Sequence, residues 1–330
     1  MLVGEARLHK GILDATAREE GATRDGFGKG VVEAGERDHN VVVLCADLAE
    51  STRSHWFKEK FPDRYIELGV AEQNLAGVAS GMASMGKVPF ITSYAAFNPG
   101  RNNEQIRTTI ALNEQPVVVC GMHAGLSVGP DGATHQALED VALMRVIPNM
   151  TVIVPSDMEE ARKATLAAAT SKRPMYLRFA RENTPLLTTK DTPFEIGKAY
   201  RVWQGNAPTV GIIAMGSMVY QAIQAAVELE TRLGISSVVL SVHTIKPLDT
   251  DAIVALANET NAILTVEEHQ VIAGLGGAVA ETLSLNRPTK MAFVGVQNRF
   301  GQSGTTQELY TAYGLDVPSI IQKAISLTQA

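Results

Sequence analysis

The chain of 330 residues has few cysteines, few aromatic residues and no excess of positive charge. Its two cysteines, Cys45 and Cys120, lie far apart in apolar segments and form no C-x-x-C motif. They are interpreted as small core residues of a reducing compartment, so neither a disulfide framework nor a metal site is predicted. The net charge of −6 offers no basic face to nucleic acid.

Long hydrophobic runs are also missing. No apolar stretch reaches the roughly 20 residues of a membrane-spanning helix, so no membrane association is expected. The first twenty residues are charged, have a helical pattern and lack the apolar core of a signal peptide, which predicts a cytoplasmic protein. What the sequence does contain is 45% hydrophobic and 19% charged residues, enough for two packed domains of ordinary size.

Strand and helix patterns alternate along the first part of the chain, which predicts an α/β fold with a parallel, doubly wound sheet. The predicted helices span residues 25–37, 72–85, 102–112, 136–146 and 158–170, and the predicted strands span residues 41–46, 65–68, 88–92, 116–120, 151–154 and 175–178. A polar segment rich in proline and threonine, 182–194, marks the boundary. We therefore predict domains at 1–190 and 191–330.

The second part of the chain predicts another, smaller α/β unit. Its predicted strands span residues 208–216, 236–240 and 263–267, and its predicted helices span residues 217–233, 278–285 and 319–326. The GLGG run at 274–277 lacks the full G-x-G-x-x-G context of a dinucleotide loop. It is interpreted as a turn into a helix.

One carboxylate stands out in the run RYIELGVAEQN, where a strand pattern breaks at Gly69 and Glu72 begins a helix of small apolar residues that looks buried. The carboxyl edge of strands is where open α/β sheets bind ligands. A lone acid at a helix start is usually explained by the helix dipole. Further polar clusters downstream favour a functional role instead.

Two such clusters follow. PFITSYAAF carries Tyr94 and Phe97, and the glycine-rich MHAGLSVGPDGATHQ carries His123, Asp131 and His135. Each comes after a strand pattern, so both are expected at the same carboxyl edge as the helix start. Two histidines and an aspartate in one glycine loop indicate a site more strongly than any of them alone.

These motifs resemble the pyrimidine-binding half of transketolases: GVAEQN, TSYAAF and HAGLSVGPDGATHQ, together with ALMRVIPNM and VIVPSD further on. The resemblance extends to Arg24 in ATRDGFGKG, to Asp47 and Ser51 in CADLAES, and to Arg181 in RFAREN. It implies a pyrimidine-binding domain with a parallel sheet, followed by a mixed-sheet transketolase C-terminal domain. The implied cofactor is thiamine diphosphate.

The GDG motif with a downstream Asn, which holds the metal diphosphate in this family, is missing from the sequence. The resemblance therefore implies the C-terminal subunit of a split transketolase, active only with an N-terminal subunit that carries this motif and the Mg²⁺ (or Ca²⁺). Two copies of each chain are expected. The implied reaction, within the pentose phosphate pathway, moves a two-carbon ketol unit from a ketose phosphate to an aldose phosphate.

The resemblance also assigns roles. Glu72 would activate the aminopyrimidine, Tyr94 and Phe97 would stack on it, and Asp47 would approach the cofactor. His123 and His135 would serve catalysis and bind the substrate, and the remaining substrate ligands would be Asp131, Arg24, Ser51 and Arg181, the last three at the sugar phosphate. The sequence departs from the family pattern at Pro130, where many members have an acid, and near Gly100, where a third aromatic residue is missing.

Three alternatives remain open at this stage. The beta subunit of a 2-oxoacid dehydrogenase decarboxylating component shares the glutamate-bearing helix, but the two-histidine loop disfavours it. Half of a 1-deoxyxylulose-5-phosphate synthase is also similar, although that enzyme is normally one chain. A non-catalytic scaffold or regulatory subunit would have no use for Glu72 together with His123, Asp131 and His135.

Overall fold

The computed structural model describes residues 1–329, which form two α/β units, each built on its own sheet. The helices are α1 (Thr23–Arg37), α2 (His55–Lys60), α3 (Glu72–Ser84), α4 (Asn103–Gln105), α5 (Asp140–Arg145), α6 (Met158–Thr170), α7 (Met218–Leu233), α8 (Thr250–Glu259), α9 (Leu275–Asn286), α10 (Thr306–Tyr313) and α11 (Val317–Gln329). The strands are β1 (Glu20–Ala22), β2 (Val41–Cys45), β3 (Tyr65–Glu67), β4 (Val88–Tyr94), β5 (Val118–Met122), β6 (Thr151–Ile153), β7 (Met175–Arg178), β8 (Asn183–Pro185), β9 (Tyr200–Gln204), β10 (Val210–Ala214), β11 (Ser237–Ser241), β12 (Thr244–Lys246), β13 (Ala262–Gln270) and β14 (Lys290–Val296).

The first unit is built on a seven-stranded sheet with the order β12-β6-β7-β5-β4-β2-β3. Its neighbouring strands run parallel except for the pair β12 and β6. In β2, Val41 and Val43 pack on the face covered by α1 and α6, whereas Val42 and Leu44 pack on the face covered by α3 and α5. Helices on both faces confirm the predicted doubly wound sheet.

Helix α1 approaches α6 closely because its inner face carries glycines. A Cβ atom on Gly30 would lie 2.8 Å from the Cβ of Thr165, and one on Gly26 would overlap the carbonyl oxygen of Met158. Glycine inside a helix costs about 0.5–1 kcal/mol relative to alanine, so its use here reflects packing rather than helix propensity. This packing fixes the start of α1, where Arg24 lies.

The second unit has a five-stranded sheet with the order β14-β13-β10-β11-β9. Strand β9 is antiparallel to β11 and the other pairs are parallel, which confirms the expected mixed sheet. The two units interlock, because β12 extends the first sheet and Leu2 forms a β-bridge with Trp203 of the second. The domain boundary at 190/191 stays a prediction.

Several predicted elements need correction. The first twenty residues do not form the expected helix: they hold a 3₁₀ turn at Gly4–Ala6, and Ile12 is buried against the second sheet, so tertiary packing overrides the local pattern. The helix predicted at 136–146 starts only at Asp140. Within the predicted helix 102–112, Asn103–Gln105 is α-helical and Ile106–Ala111 forms a π-helix. The polar boundary segment 182–194 contains β8, which pairs with β1.

Two simpler predictions agree with the structure. Cys45 and Cys120 are buried free thiols. The GLGG run does lead into a helix, since Gly274 is the residue before α9. Within the described residues, none of the helices combines the length and the apolar character that crossing a bilayer requires.

Candidate active site

The candidate site lies at the carboxyl edge of the first sheet, where β5, β4, β2 and β3 are neighbours. Glu72 starts α3 shortly after β3, Tyr94 ends β4 and His123 directly follows β5. Parallel strands deliver their carboxyl ends to one edge, which is why residues far apart in sequence converge here.

Glu72 is held from three directions. Its side chain is 1% exposed; Oε1 accepts a hydrogen bond from Ser93 Oγ at 3.1 Å, and Oε2 lies 2.6 Å from Nη1 of Arg101. Its backbone carbonyl accepts a hydrogen bond from Asn102 Nδ2 at 3.0 Å. A buried carboxylate needs such partners, and here they fix the position of the group at the start of α3.

Aromatic and imidazole rings form a wall beside this carboxylate. Tyr94 stacks on His123 with ring centroids 4.3 Å apart and lies nearly parallel to Phe97 at 6.3 Å. His135 meets the ring of Phe97 edge-on at 5.4 Å. The structure thus brings together all four of the ring-bearing residues that the sequence predicted.

His123 is buried and polarised by positive neighbours. Its Nε2 lies 3.1 Å from the carbonyl oxygen of Ser51 and 3.1 Å from Nη1 of Arg24, and Arg24 also donates to that carbonyl. Burial, with a further effect from Arg24, lowers the pKa of His123 to about 3. The residue has φ of 53°, an uncommon backbone conformation that is typical of functional sites. At neutral pH this ring is uncharged, so one of its nitrogens can donate a hydrogen bond and the other can accept one.

The guanidinium groups of Arg24, Arg53 and Arg181 cluster at this pocket, where Arg53 pairs with Asp25 at 2.5 Å and Arg181 lies 3.6 Å from Glu182. The pKa of Arg24 is lowered by burial first and then by Arg53, with a smaller effect from Arg181. Arg181 lies 3.5 Å from Oδ1 of Asp131 and donates to the carbonyl of Val128 at 3.1 Å. Clustered guanidinium groups of this kind suit an anionic ligand.

The remaining predicted residues are placed less directly. His135 is half-buried, and its Nδ1 shares a hydrogen bond of 2.8 Å with Thr134. Ser51 takes part in the site through its carbonyl oxygen. Asp47 is exposed with φ of 59°, and its N–H donates to Glu67, but within residues 1–329 its carboxylate forms no hydrogen bond or ion pair. The cofactor role of Asp47 stays a prediction.

Sequence reasoning missed the residues that hold Glu72. Arg101 is the clearest case: its guanidinium carbon lies 4.7 Å from the centroid of the Phe97 ring while its Nη1 pairs with Glu72. An arginine four positions after Phe97 was the available signal, because a turn at that spacing brings the two side chains together. Ser93 and Asn102 carried no comparable signal.

The donor set fits a flat, polar heterocycle such as an aminopyrimidine. Glu72 provides a carboxyl group, Tyr94 and Phe97 provide flat apolar area, and Nδ1 of His123 is buried without a hydrogen-bond partner among the described residues. A buried, unpaired polar atom is costly unless a ligand satisfies it.

Comparison with known proteins gives the family. The family model for the transketolase pyrimidine-binding domain matches residues 19–186, and the model for the transketolase C-terminal domain matches residues 197–320. The chain belongs to the transketolase family. The resemblance noted from the motifs is thereby confirmed, and family membership implies a thiamine-diphosphate site.

Individual relatives support the same family assignment. A transketolase C-terminal section of Methanocaldococcus jannaschii is 40% identical over 91% of this chain and 94% of its own. A solved split gene transketolase, described as an inactive beta4 tetramer, is 40% identical with a TM-score of 0.87 and is covered over 98% of its chain, 93% of this one. Transketolase of Homo sapiens is 36% identical over 91% of this chain but only 48% of its own length. This transketolase chain therefore corresponds to about half of the human enzyme.

Proposed function

We propose that this chain is the C-terminal subunit of a two-chain transketolase. With an N-terminal subunit that carries the GDG…N motif, it would transfer a two-carbon ketol unit from a ketose phosphate to an aldose phosphate. The observation that carries the proposal is the buried Glu72 beside the Tyr94 and Phe97 rings, in a sequence that lacks the diphosphate motif. The chain supplies one wall of a site and needs another.

Thiamine diphosphate, when bound, supplies the electron sink for breaking and forming the carbon–carbon bond. Glu72 would hold a proton on its carboxyl group against a ring nitrogen of the aminopyrimidine. In the single chain, Oε2 of this carboxyl is occupied by Nη1 of Arg101. The pair must therefore loosen when the cofactor binds. Tyr94 and Phe97 would exclude water and orient the ring.

His123 and His135 would bind the sugar hydroxyls near the reacting carbon. Because the pKa of His123 is lowered to about 3, its ring is neutral at pH 7 and can donate a hydrogen bond from one nitrogen and accept one at the other. Asp131, at the exposed rim, would accept a hydrogen bond from a secondary hydroxyl. Pro130 beside it cannot replace the acid of other family members, so this part of sugar recognition should differ here.

The sugar phosphate would lie against Arg24, Arg181 and Ser51. Burial first, and then the nearby Arg53, lowers the pKa of Arg24, so an incoming phosphate would partner a buried cation through charge-assisted hydrogen bonds. The acidic chain, with a net charge of −6, would bind phosphate through this local cluster alone.

The outer face of α3 supports assembly with other chains. The sequence predicted a buried helix, but in the single chain this face is open: a Cβ atom added at Gly77 or Gly81 would meet nothing within 4 Å. Val70 and Met85, at either end of the helix, are 70% and 83% exposed. A chain packed on α3 would lie next to Glu72. We propose two copies of each subunit, with Mg²⁺ or Ca²⁺ held by the N-terminal one, working in the cytoplasm in the pentose phosphate pathway.

The relatives act on more than one class of sugar. A 6-deoxy-6-sulfo-D-fructose transketolase subunit of a Clostridium strain is 37% identical over 94% of this chain, and one of the subunits of an apulose-4-phosphate transketolase from Phocaeicola vulgatus is 34% identical over 93%. A sulfonated and a phosphorylated sugar both present an anion to the arginine cluster. A panel with both kinds of donor should therefore be compared.

The test is Glu72→Gln in the reconstituted pair. The variant should assemble normally yet lose at least about 100-fold in turnover, since an amide cannot supply the carboxyl proton. Glu104→Gln, an exposed acid on α4, serves as the control and should keep normal turnover. Near-normal rates in Glu72→Gln would contradict the proposed proton role.

A further inference from the structure

The glycine-rich loop that carries Asp131 is held in place by contacts with the second unit. Oε1 of Glu268, on β13, accepts the backbone N–H of Ser127 at 2.6 Å. A Cβ atom on Gly125 would lie 2.5 Å from that same Oε1, and one on Gly132 would lie 2.7 Å from Oγ of Ser303. The second unit thus contacts both ends of the segment 125–132.

Gln136 also holds this loop, through hydrogen bonds of its side-chain amide. Its Nε2 donates to the carbonyl of Leu126 at 3.1 Å and to the carbonyl of Gln302 at 2.9 Å. One side chain therefore links the loop to the connection between β14 and α10. It also occupies the space that a side chain at position 301 would need, since a Cβ atom there would overlap the Gln136 amide.

The loop has little regular structure to hold itself. Gly125, Gly129 and Gly132 have φ of 91°, 72° and 75°, and Gly129 breaks the helical turn that runs from Leu126 to Asp131. Glycines in these conformations also have many alternatives. The observed arrangement must be set by contacts from outside: Arg181 of the first unit donates to the carbonyl of Val128, and Glu268 supplies the charged contact from the second unit.

Glu268 is itself fixed. It is 3% exposed, and its Oε2 accepts a hydrogen bond from Ser217 Oγ at 3.2 Å. Its backbone carbonyl accepts a hydrogen bond of 3.0 Å from Arg178, which is bound to Asp140 of the first unit at 2.8 Å. The carboxylate is thus part of a rigid junction between the units, and the loop is attached to that junction.

We propose that Glu268 is a positioning residue: it holds the loop so that Asp131 and His135 face the site. This gives the second unit, to which no catalytic side chain is assigned, a role in substrate binding. The inference rests on the proposed function for the sugar contacts, but the anchoring itself can be tested without turnover.

Glu267 provides a matched control, since it is the neighbouring carboxylate on β13 and is also buried. Its oxygens accept the N–H groups of Leu275 and Gly276 at the start of α9, not those of the loop. Loss of either carboxyl group should perturb a different segment.

Amide hydrogen exchange of the full chain tests whether Glu268 anchors the loop. In Glu268→Gln, amides in 125–132 should exchange about tenfold faster or more, as expected for loss of a charge-assisted hydrogen bond, while α9 stays protected. Glu267→Gln should show the reverse. Gln136→Leu, which keeps every charge, should also speed exchange in 125–132 and decides the case if Glu268→Gln fails to fold. Unchanged loop exchange in the folded variants would overturn the proposal.

Kinetics of the reconstituted pair add a second readout. Glu268→Gln should raise KM for the sugar donor by about tenfold with a smaller fall in kcat, because it loosens binding groups rather than removing one. An equal fall in kcat for Glu268→Gln and Glu267→Gln would indicate a structural role only. If Glu268→Gln loosens the loop but the chain shows no transketolase activity with any partner, the proposed function is contradicted. The anchoring of the loop by Glu268 would still be supported.

Discussion

Arg101 closes over Glu72: its Nη1 lies 2.6 Å from Oε2 of a carboxylate that is 1% exposed, while the arginine side chain is itself 46% exposed. The same guanidinium lies over the ring of Phe97. In the single chain, a solvent-facing cation therefore occupies the carboxylate and the aromatic face that the cofactor is proposed to use.

A double-mutant cycle should measure this pair. Arg101→Gln leaves a buried carboxylate with Ser93 as its remaining side-chain partner and should lower the free energy of unfolding by roughly 1–3 kcal/mol. In a Glu72→Gln background the same change should cost much less. Denaturant unfolding of the isolated chain measures both. Additive effects would mean that the pair contributes nothing.

Loss of Arg24 or Arg181 from the arginine cluster should affect one class of substrate. Arg24→Ala or Arg181→Ala should raise KM for phosphorylated donors about 10-fold or more, and change KM for short unphosphorylated ketoses little. Arg232→Ala, an exposed residue that pairs with Glu228 on α7, is the control. Equal losses on both classes of donor would contradict the phosphate assignment.

The open face of α3 should be needed for assembly. Gly81→Leu should fold, because a side chain there meets free space within the chain, but should weaken association with the N-terminal chain about tenfold or more through steric overlap. Gln322→Leu, on the exposed side of α11, is the matched control. Analytical ultracentrifugation of the mixed chains gives the result. Wild-type association of Gly81→Leu would place the interface elsewhere.

Acid should destabilise the chain through its buried histidines. Burial lowers the pKa of His243 to about 4, below the value of 6.5 expected when unfolded, so its contribution is complete above pH 6.5 and is lost as pH falls towards 4. His243→Phe, which keeps the stacking on Phe194, should therefore gain about 2 kcal/mol relative to wild type between pH 8 and pH 5.

Other buried groups change the stability in the opposite direction as pH falls. Comparing wild type with His243→Phe cancels their contribution. Burial raises the pKa of Asp157 to about 6 and that of Glu267 to about 7, so these carboxyls favour folding as pH falls. They are the same in wild type and in His243→Phe. Parallel pH profiles of the two proteins would rule out the His243 contribution, and His39→Gln, an exposed histidine, should leave the profile unchanged.

Much of the candidate site could be predicted, because parallel strands bring their carboxyl ends to one edge. Glu72, Tyr94 and His123 each lie at or shortly after the carboxyl end of a strand, so their convergence required only the strand order. Glu268 could not be found in this way. It lies more than a hundred residues from Ser127 and binds a backbone group, which leaves no trace in the sequence of the loop.

In the fold, too, local patterns could be predicted from the sequence, whereas features set by distant contacts could not. Apolar patterns predicted α6 and β5 well, since α6 buries one face and β5 is a short apolar run buried on both. They failed at residues 136–139, where the Gln136 side chain binds loop carbonyls instead of continuing a helix. They also failed at β12, a three-residue strand whose only reason to form is the edge of a sheet in the other unit.

The most direct test of the account is transfer of a ketol unit by the purified chain with thiamine diphosphate and Mg²⁺, measured alone and after addition of an N-terminal subunit that carries GDG…N. The account predicts no detectable transfer by the chain alone and full, cofactor-dependent transfer by the pair. Full-rate transfer by the chain alone would contradict it.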